Sequence, residues 1–286
     1  MQHNKLTTLF GLKWNPFYGD IPREGLIATE NIERFAWKVE NLTMDGGFAL
    51  ITGDPGYGKS IALRLVFERI AAVRDVSVGV FSRPQSNIAD FYRELGHLFG
   101  VDLKASNRFG GYISLRNRWK RHLETSQFRP VLFIDEAQEM PAATLNELRL
   151  LASMNFDCQT ILTIILAGDG RLTDRFRLAE LAPLGSRMRT RLLMEPKSSE
   201  DMIGFLRELI SRAGNPALIS DGLMRTLADH SGGNYRVLAT MAHELLSEAV
   251  LRDRRQLDED LFFDVYKALK RTVKKTPKTN PQGTVQ

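Results

Sequence analysis

Gly53-Asp54-Pro55-Gly56-Tyr57-Gly58-Lys59-Ser60 is the stretch whose reading decides the fold. It spells G-x-x-x-x-G-K-S between two recognisable flanks. Phe48-Ala49-Leu50-Ile51-Thr52 ahead of it is a short apolar run that reads as a buried strand, and Ile61, Leu63, Leu65, Val66 and Ile70 behind it recur at helical spacing. A strand, a glycine-rich turn and a helix start make an anion site, because free backbone N–H groups and the positive end of the helix point at the same place. Lys59 would reach the β- and γ-phosphates of a nucleoside triphosphate and Ser60 would ligate Mg²⁺, with Gly53, Asp54, Pro55, Gly56, Tyr57, Gly58 and Ile61 completing the cradle. The ligands this implies are ATP and Mg²⁺.

Outward from the loop, apolar and β-branched runs at 48–52, 76–82, 130–134, 160–167 and 190–194 alternate with helical patterns near 60–74, 87–99, 111–125, 142–155 and 171–184. Near-continuous apolar strands alternating with helices mean a parallel sheet covered on both faces. The expected class is therefore α/β, a five-stranded parallel P-loop sheet flanked by helices. After Pro196 the strand pattern stops. Ser198-Ser199-Glu200-Asp201 opens a helix with a capping residue and early negative charge, and further helices are expected near 221–230, 234–252 and 258–272. The expected division is 1–196 for the nucleotide domain, 197–272 for a small helical lid, and 273–286 for a basic tail of disordered composition.

The chain has 286 residues, 43% of them hydrophobic, enough for one core and a small satellite. A single cysteine, Cys158, excludes an internal disulfide and suits the cytoplasm. No apolar run approaches the ~20 residues of a membrane span, and residues 1–15 carry no signal-peptide core, so no membrane partner is expected. The net charge of +5 is concentrated at the end: Lys267, Lys270, Arg271, Lys274, Lys275 and Lys278 occur with no acid among them. Such a tail suits a polyanion or an acidic partner, or merely solubilises the chain.

Val131-Leu132-Phe133-Ile134-Asp135-Glu136 is an apolar strand ending in two carboxylates, which fits the ligand side of an open α/β sheet. Asp135 would hold Mg²⁺ through water. Glu136 would act as general base or polarise the attacking water, which suits an enzyme that hydrolyses ATP to ADP and phosphate.

With Gly53–Ser60, Asp135-Glu136-Ala137-Gln138 and a helical lid, the chain resembles the AAA+ ATPases, and more narrowly the ExeA/TnsC/TniB/MuB-like group. Members of that group serve DNA transposition or, in ExeA itself, secretion. Asn15-Pro16-Phe17 and Leu26-Ile27-Ala28-Thr29 resemble its N-terminal stretch, where apolar residues such as Ile27 cover the adenine. Leu166-Ala167-Gly168-Asp169 stands at its sensor-1 position, where Asp169 departs from the usual amide or hydroxyl. An anion there would repel a γ-phosphate unless turned away or bound to an arginine. Gly185-Ser186-Arg187-Met188-Arg189 resembles its arginine-finger box, with Arg187 preferred to Arg189 and Arg191, although Arg-x-Arg-x-Arg also suits a solvated sheet edge. Ser231-Gly232-Gly233-Asn234-Tyr235-Arg236 resembles its sensor-2 motif, from which Arg236 would reach the nucleotide. A finger supplied by a neighbouring subunit implies a homo-oligomer, a ring or a helical filament.

Lys104, Arg108, Arg116, Arg118, Lys120 and Arg121 occur in an interval without an acid, with Gly110-Gly111, Tyr112 and Trp119 interleaved. Basic residues on a loop and helix suit duplex DNA gripped by its backbone, without sequence reading. The other reading is that Arg116 to Arg121 form the polar face of an amphipathic helix and that Trp119 is core. The expected function is an ATP-dependent, DNA-binding ATPase that assembles on duplex DNA and recruits or activates a transposase. An ExeA-like secretion ATPase and a nucleotide-gated protein switch are the alternatives. ExeA carries a membrane segment and a further domain, neither of which is read in these 286 residues, and that turns the expectation towards transposition.

Overall fold

A computed structural model describes residues 8–103, 107–156 and 158–273, with side chains as far as 266. Lys104, residues 274–286 of the expected tail, and the side chains of Lys267, Lys270 and Arg271 lie outside the described residues.

Five strands form one sheet: β1 (Gly47–Gly53), β2 (Val78–Phe81), β3 (Val131–Ile134), β4 (Thr163–Gly168) and β5 (Met188–Met194). Their order is β2-β3-β4-β1-β5 and every pairing is parallel. Every residue of β3 and β4 is buried, which is why these strands read as unbroken apolar runs rather than alternating ones. One face packs Phe91, Leu95, Leu115, Leu145 and Leu148 against the sheet, and the other packs Ile32, Phe35, Val39, Val66 and Ile70. Trp119 is core: it is 1% exposed and stands edge-on to Phe99 at 5.3 Å.

The helices of this unit are α1 (Glu30–Asp45), α2 (Lys59–Ala71), α3 (Ile88–Phe99), α4 (Arg108–Thr125), α5 (Ala142–Ala152), α6 (Gly170–Arg175) and α7 (Ala182–Gly185). Helix α1 has no counterpart in the sequence expectation, although Ile32, Phe35, Ala36 and Val39 bury at helical spacing behind Thr29 and Glu30. The pattern expected as one helix over 142–155 stops at Ala152, because Ser153–Met154 pairs antiparallel with Gln159–Thr160. The one expected over 171–184 is two short helices, the second with proline in its first turn.

The chain divides into two compact units, Ala28–Glu195 and a second made of the N-terminal segment to Ile27 with Pro196 onward. The N-terminal segment, expected with the nucleotide domain, thus belongs to the helical unit. Its backbone is tied there: Lys13 N–H donates to the Ala213 carbonyl at 2.8 Å, Asn215 Nδ2 to the Phe10 carbonyl at 2.8 Å, and Arg212 Nη1 to the Leu26 carbonyl at 2.7 Å. Asn15, in the stretch that resembles the group's N-terminal segment, is buried, its Oδ1 accepts from Phe17 N–H at 3.0 Å, and its Nδ2 lies 3.2 Å from His243 Nδ1. Phe10, Leu12 and Phe17 share a core with Leu206, Leu223, Leu245 and Leu246.

Among the described residues the rest of this unit is built by α8 (Ser199–Arg212), α9 (Asp221–Ser231), α10 (Tyr235–Leu251) and α11 (Glu259–Val273). Ser198, Ser220 and Asn234 cap the first three through side-chain oxygens. Among the described residues no helix is long and apolar enough to cross a membrane.

Candidate functional site

The pairing registers bring three strand ends together. Thr52 of β1 stands opposite Gly168 of β4, and Ile134 of β3 stands opposite Leu166 of β4. The segments that leave these C-terminal ends are Gly53–Ser60, Asp135-Glu136 and Asp169, so the sequence motifs meet at one edge of the sheet, where open α/β sheets hold ligands.

The loop needs its glycines. Gly53 has φ +153°, and a Cβ on it would collide with the Met194 carbonyl of the paired strand β5. Gly56 and Gly58 have φ +90° and +92°, and Gly58 caps α2 without offering a side chain to its first turn. The first N–H groups of α2 are therefore left to an incoming anion. Lys59 is only 7% exposed, and its Nζ donates to the Asp54 carbonyl at 3.1 Å, which holds the ammonium inside the loop. Ser60 is exposed and Asp135 is half-buried. A hydroxyl and a carboxylate are the hard oxygen donors that Mg²⁺ takes, with phosphate and water oxygens completing its shell, so these two residues fit the ion.

Glu136 is exposed and has φ +51°, a left-handed conformation uncommon for a residue with a side chain. Its N–H donates to Asp135 Oδ1 at 2.9 Å and its carbonyl accepts from Glu139 N–H at 2.9 Å, so a tight turn fixes the pair of acids. Gln138, 7% exposed, closes this turn: Nε2 donates to Glu136 Oε2 and Oε1 accepts from Asp169 N–H at 3.2 Å. Arg175 Nη1 donates to the Gln138 carbonyl at 2.6 Å.

Asp169 does not stand free. It caps α6 by accepting from Arg171 N–H at 3.0 Å, and it accepts from Arg171 Nε at 2.9 Å. Arg171 Nη2 lies 2.8 Å from Asp169 Oδ2 and 2.8 Å from Glu139 Oε1. The Arg171 hydrogen bonds hold the Asp169 carboxyl below the ordinary aspartate range, against the burial that opposes them. The anion at the expected sensor-1 position is thus bound to an arginine of its own chain.

The three candidate finger arginines differ. Arg187 Nη1 donates to the Pro183 carbonyl, and Arg191 donates to the Met188 carbonyl at 2.7 Å and the Gly185 carbonyl at 3.2 Å. Arg189 is the extra residue where the β1–β5 register slips between Phe48 and Ala49, and its side chain is exposed. Arg236 belongs to the helical unit, exposed in the first turn of α10. Its motif has a local logic: Gly232 ends α9 at φ +56°, and a Cβ on Gly233 would collide with the Lys197 backbone. Ile27 packs against the helical unit's core.

Among the basic residues of the expected DNA face, three have partners within the protein, although Arg108 and Arg118 stay exposed. Arg108 pairs with Glu147, which is 3% exposed and also accepts from Tyr92 Oη at 2.5 Å. Burial first, and then Glu147, pushes the Tyr92 phenol well up from its ordinary range. Arg116 Nη1 donates to the carbonyls of Leu151 at 2.9 Å and Ser153 at 2.5 Å, and Arg118 Nε donates to the Phe99 carbonyl at 3.3 Å. Lys120 and Arg121 are exposed on the last turns of α4. The sequence reading passed over Gln138, Arg171, Glu147 and Tyr92. The first two were within reach, Gln138 inside the quoted Asp-Glu-Ala-Gln and Arg171 two residues beyond Asp169.

Comparison with known proteins agrees with this geometry. Residues 42–176 match the family model described as an AAA domain. The chain is 25% identical over 256 residues to General secretion pathway protein A of Aeromonas hydrophila, covering 88% of this chain and 46% of that protein. It therefore spans about half the length of that curated relative. Among solved structures it is similar to the Aeropyrum pernix ORC2 protein (ADPNP-ADP complexes), with a TM-score of 0.69, 16% identity, and coverage of 93% of this chain and 73% of that one. It is also similar to Drosophila ORC bound to DNA, with a TM-score of 0.66, 15% identity, and coverage of 94% and 66%. The fold is that of the AAA+ P-loop NTPases.

Proposed function

We propose that this chain hydrolyses ATP at the site formed by Gly53–Ser60, Asp135 and Glu136, and that nucleotide controls its assembly into an oligomer on duplex DNA. The observation that carries the proposal is the convergence at the ends of β1, β3 and β4 of a glycine-shaped anion loop, a buried lysine and a carboxylate held by a glutamine. Lys59 and the N–H groups of α2 bind and orient the phosphates. Glu136 takes the proton of the attacking water, which in-line transfer to water requires. Ser60 and Asp135 would hold Mg²⁺, which when bound neutralises charge on the phosphates. Arg187, Arg189 or Arg191 of a neighbouring copy is the proposed finger, and Arg236 the proposed link from nucleotide to lid.

The DNA part rests on Lys120, Arg121 and Lys104, on the resemblance to transposition ATPases, and on Drosophila ORC, a relative in fold that was captured with DNA. The finer reading makes the oligomer's partner a transposase. A second reading, an ATPase of a secretion or assembly system, is favoured by the similarity to General secretion pathway protein A. Spanning half of that protein, the chain's length does not decide between them.

Imaging with duplex DNA and a non-hydrolysable ATP analogue tests the proposal. Nucleotide-dependent oligomers on DNA that vanish in Lys59→Ala are expected. Nucleotide-dependent oligomers indifferent to DNA would favour the secretion reading, and oligomers indifferent to Lys59→Ala would refute nucleotide control.

A further inference from the structure

Gln138 occupies a position that neither phosphate binding nor the metal site accounts for. Its side-chain amide has one orientation available. The end facing Glu136 meets a carboxylate, which only accepts, so it must be Nε2; the end facing Asp169 meets a backbone N–H, which only donates, so it must be Oε1. Reversing the amide would break both bonds at once. The carbonyl of the same residue is held by Arg175, and its buried side chain has no freedom to swing away. Glu136 is the opposite case: its side chain is exposed, and among the described residues its carboxylate has no other hydrogen-bond partner than this amide. An exposed glutamate has several rotamers, and a general base works only from the one within reach of its water.

We infer that Gln138 is a positioning residue for hydrolysis, a clip that holds the Glu136 carboxylate in register with the end of strand β4. The clip bonds the backbone of Asp169, whose side chain is in turn bound to Arg171, and Arg171 reaches back to Glu139 in the turn that carries Glu136. The sensor-1 strand end and the base are therefore one closed loop of hydrogen bonds. A shift of Asp169 moves Glu136 through Gln138 rather than through solvent. This is a use for an aspartate where the resemblance led one to expect a water-orienting amide: Asp169 anchors the amide of Gln138, which holds the base.

The inference rests on the reading of Glu136 as the base, and its test keeps the two apart. Steady-state ATP hydrolysis is measured for the full chain, Gln138→Leu, Gln138→Glu, Glu136→Gln and the Glu136→Gln/Gln138→Leu pair, alongside the Kd of a fluorescent ATP analogue and the thermal midpoint. Loss of a general base costs about 10²–10⁴-fold in kcat, and a residue acting through it costs less, about tenfold or more. Gln138→Leu should lower kcat by about tenfold or more with KM and Kd within about twofold. Gln138→Glu keeps the length and the acceptor for Asp169 N–H but loses the donor, and should fall as far. In the Glu136→Gln background, Gln138→Leu should cost nothing further, because its effect runs through the missing carboxylate. Unchanged kcat in Gln138→Leu, a matching loss of Kd, or an additive loss in the pair would overturn the inference. A Glu136→Gln chain with undiminished kcat would overturn the reading of Glu136 itself.

Discussion

Tyr92→Phe removes a single oxygen and leaves a buried charge short of a partner. The phenol donates to Glu147 Oε2 at 2.5 Å, and Glu147 is 3% exposed, so water cannot take the place of the lost donor. The ring itself remains, edge-on to Phe91 at 5.5 Å, and no cavity of a methyl's size opens. A hydrogen bond to a charged group contributes about 1.5–3 kcal/mol, and that is the loss expected while Arg108 stays on the other oxygen, Oε1. At roughly 2–4 °C per kcal/mol for a unit of this size, the thermal midpoint should fall by roughly 3–12 °C. The comparison that isolates the bond is the same change in a Glu147→Met background. There the phenol has lost its acceptor, and deleting a buried hydroxyl should be neutral or stabilising. A change below about 0.5 kcal/mol in the parent, or an equal cost in both backgrounds, would refute the reasoning. The outcome bears on function, since it tests whether Arg108 serves Glu147, a structural partner, before any phosphate.

Gly53→Ala should destabilise the Ala28–Glu195 unit by about 2–4 kcal/mol, because the left-handed φ and the collision with the Met194 carbonyl strain the loop and the β1–β5 pairing together; chemical denaturation measures it, and a loss under about 1 kcal/mol would contradict the collision. Lys120→Ala with Arg121→Ala should reduce the slope of log K against log salt for duplex DNA by about 1 per residue, whereas an unchanged slope would remove α4 from the interface. Burial holds the phenols of Tyr92, Tyr235 and Tyr266 up, Tyr235 to about 12, so each is neutral in the fold beyond the ordinary tyrosine value of about 10. The sign follows: that stability is present below about pH 10 and is lost as pH rises towards the folded values, so the unfolding midpoint should hold from pH 7 to 9 and drop above about 10. A midpoint constant through pH 11 would contradict it.

The sheet was legible because burial on both faces forces β3 and β4 into unbroken apolar runs. The phosphate loop was legible because its glycines are required by backbone geometry, at Gly53 by the neighbouring strand and at Gly58 by the helix start. The allegiance of the N-terminal segment was not legible, since it depends on Arg212 and Asn215 reaching backbone carbonyls, and such bonds leave no trace in spacing. Helix α1 was hidden by its charged face, although its buried residues keep the helical period. The partners of the basic stretch were not legible because they lie far along the chain: Glu147 for Arg108, and the carbonyls of Leu151 and Ser153 for Arg116. Asp169 could have been better read, for Arg171 stands two residues on, close enough to neutralise it.

The most direct test of the account is phosphate release from ATP by the full chain and by Glu136→Gln, each with its ATP affinity measured in parallel. Release should fall by about 10²–10⁴-fold in the variant while ATP remains bound, the behaviour of a site that has lost its base and kept its cradle. Undiminished release, or no ATP binding by the parent chain, would contradict it.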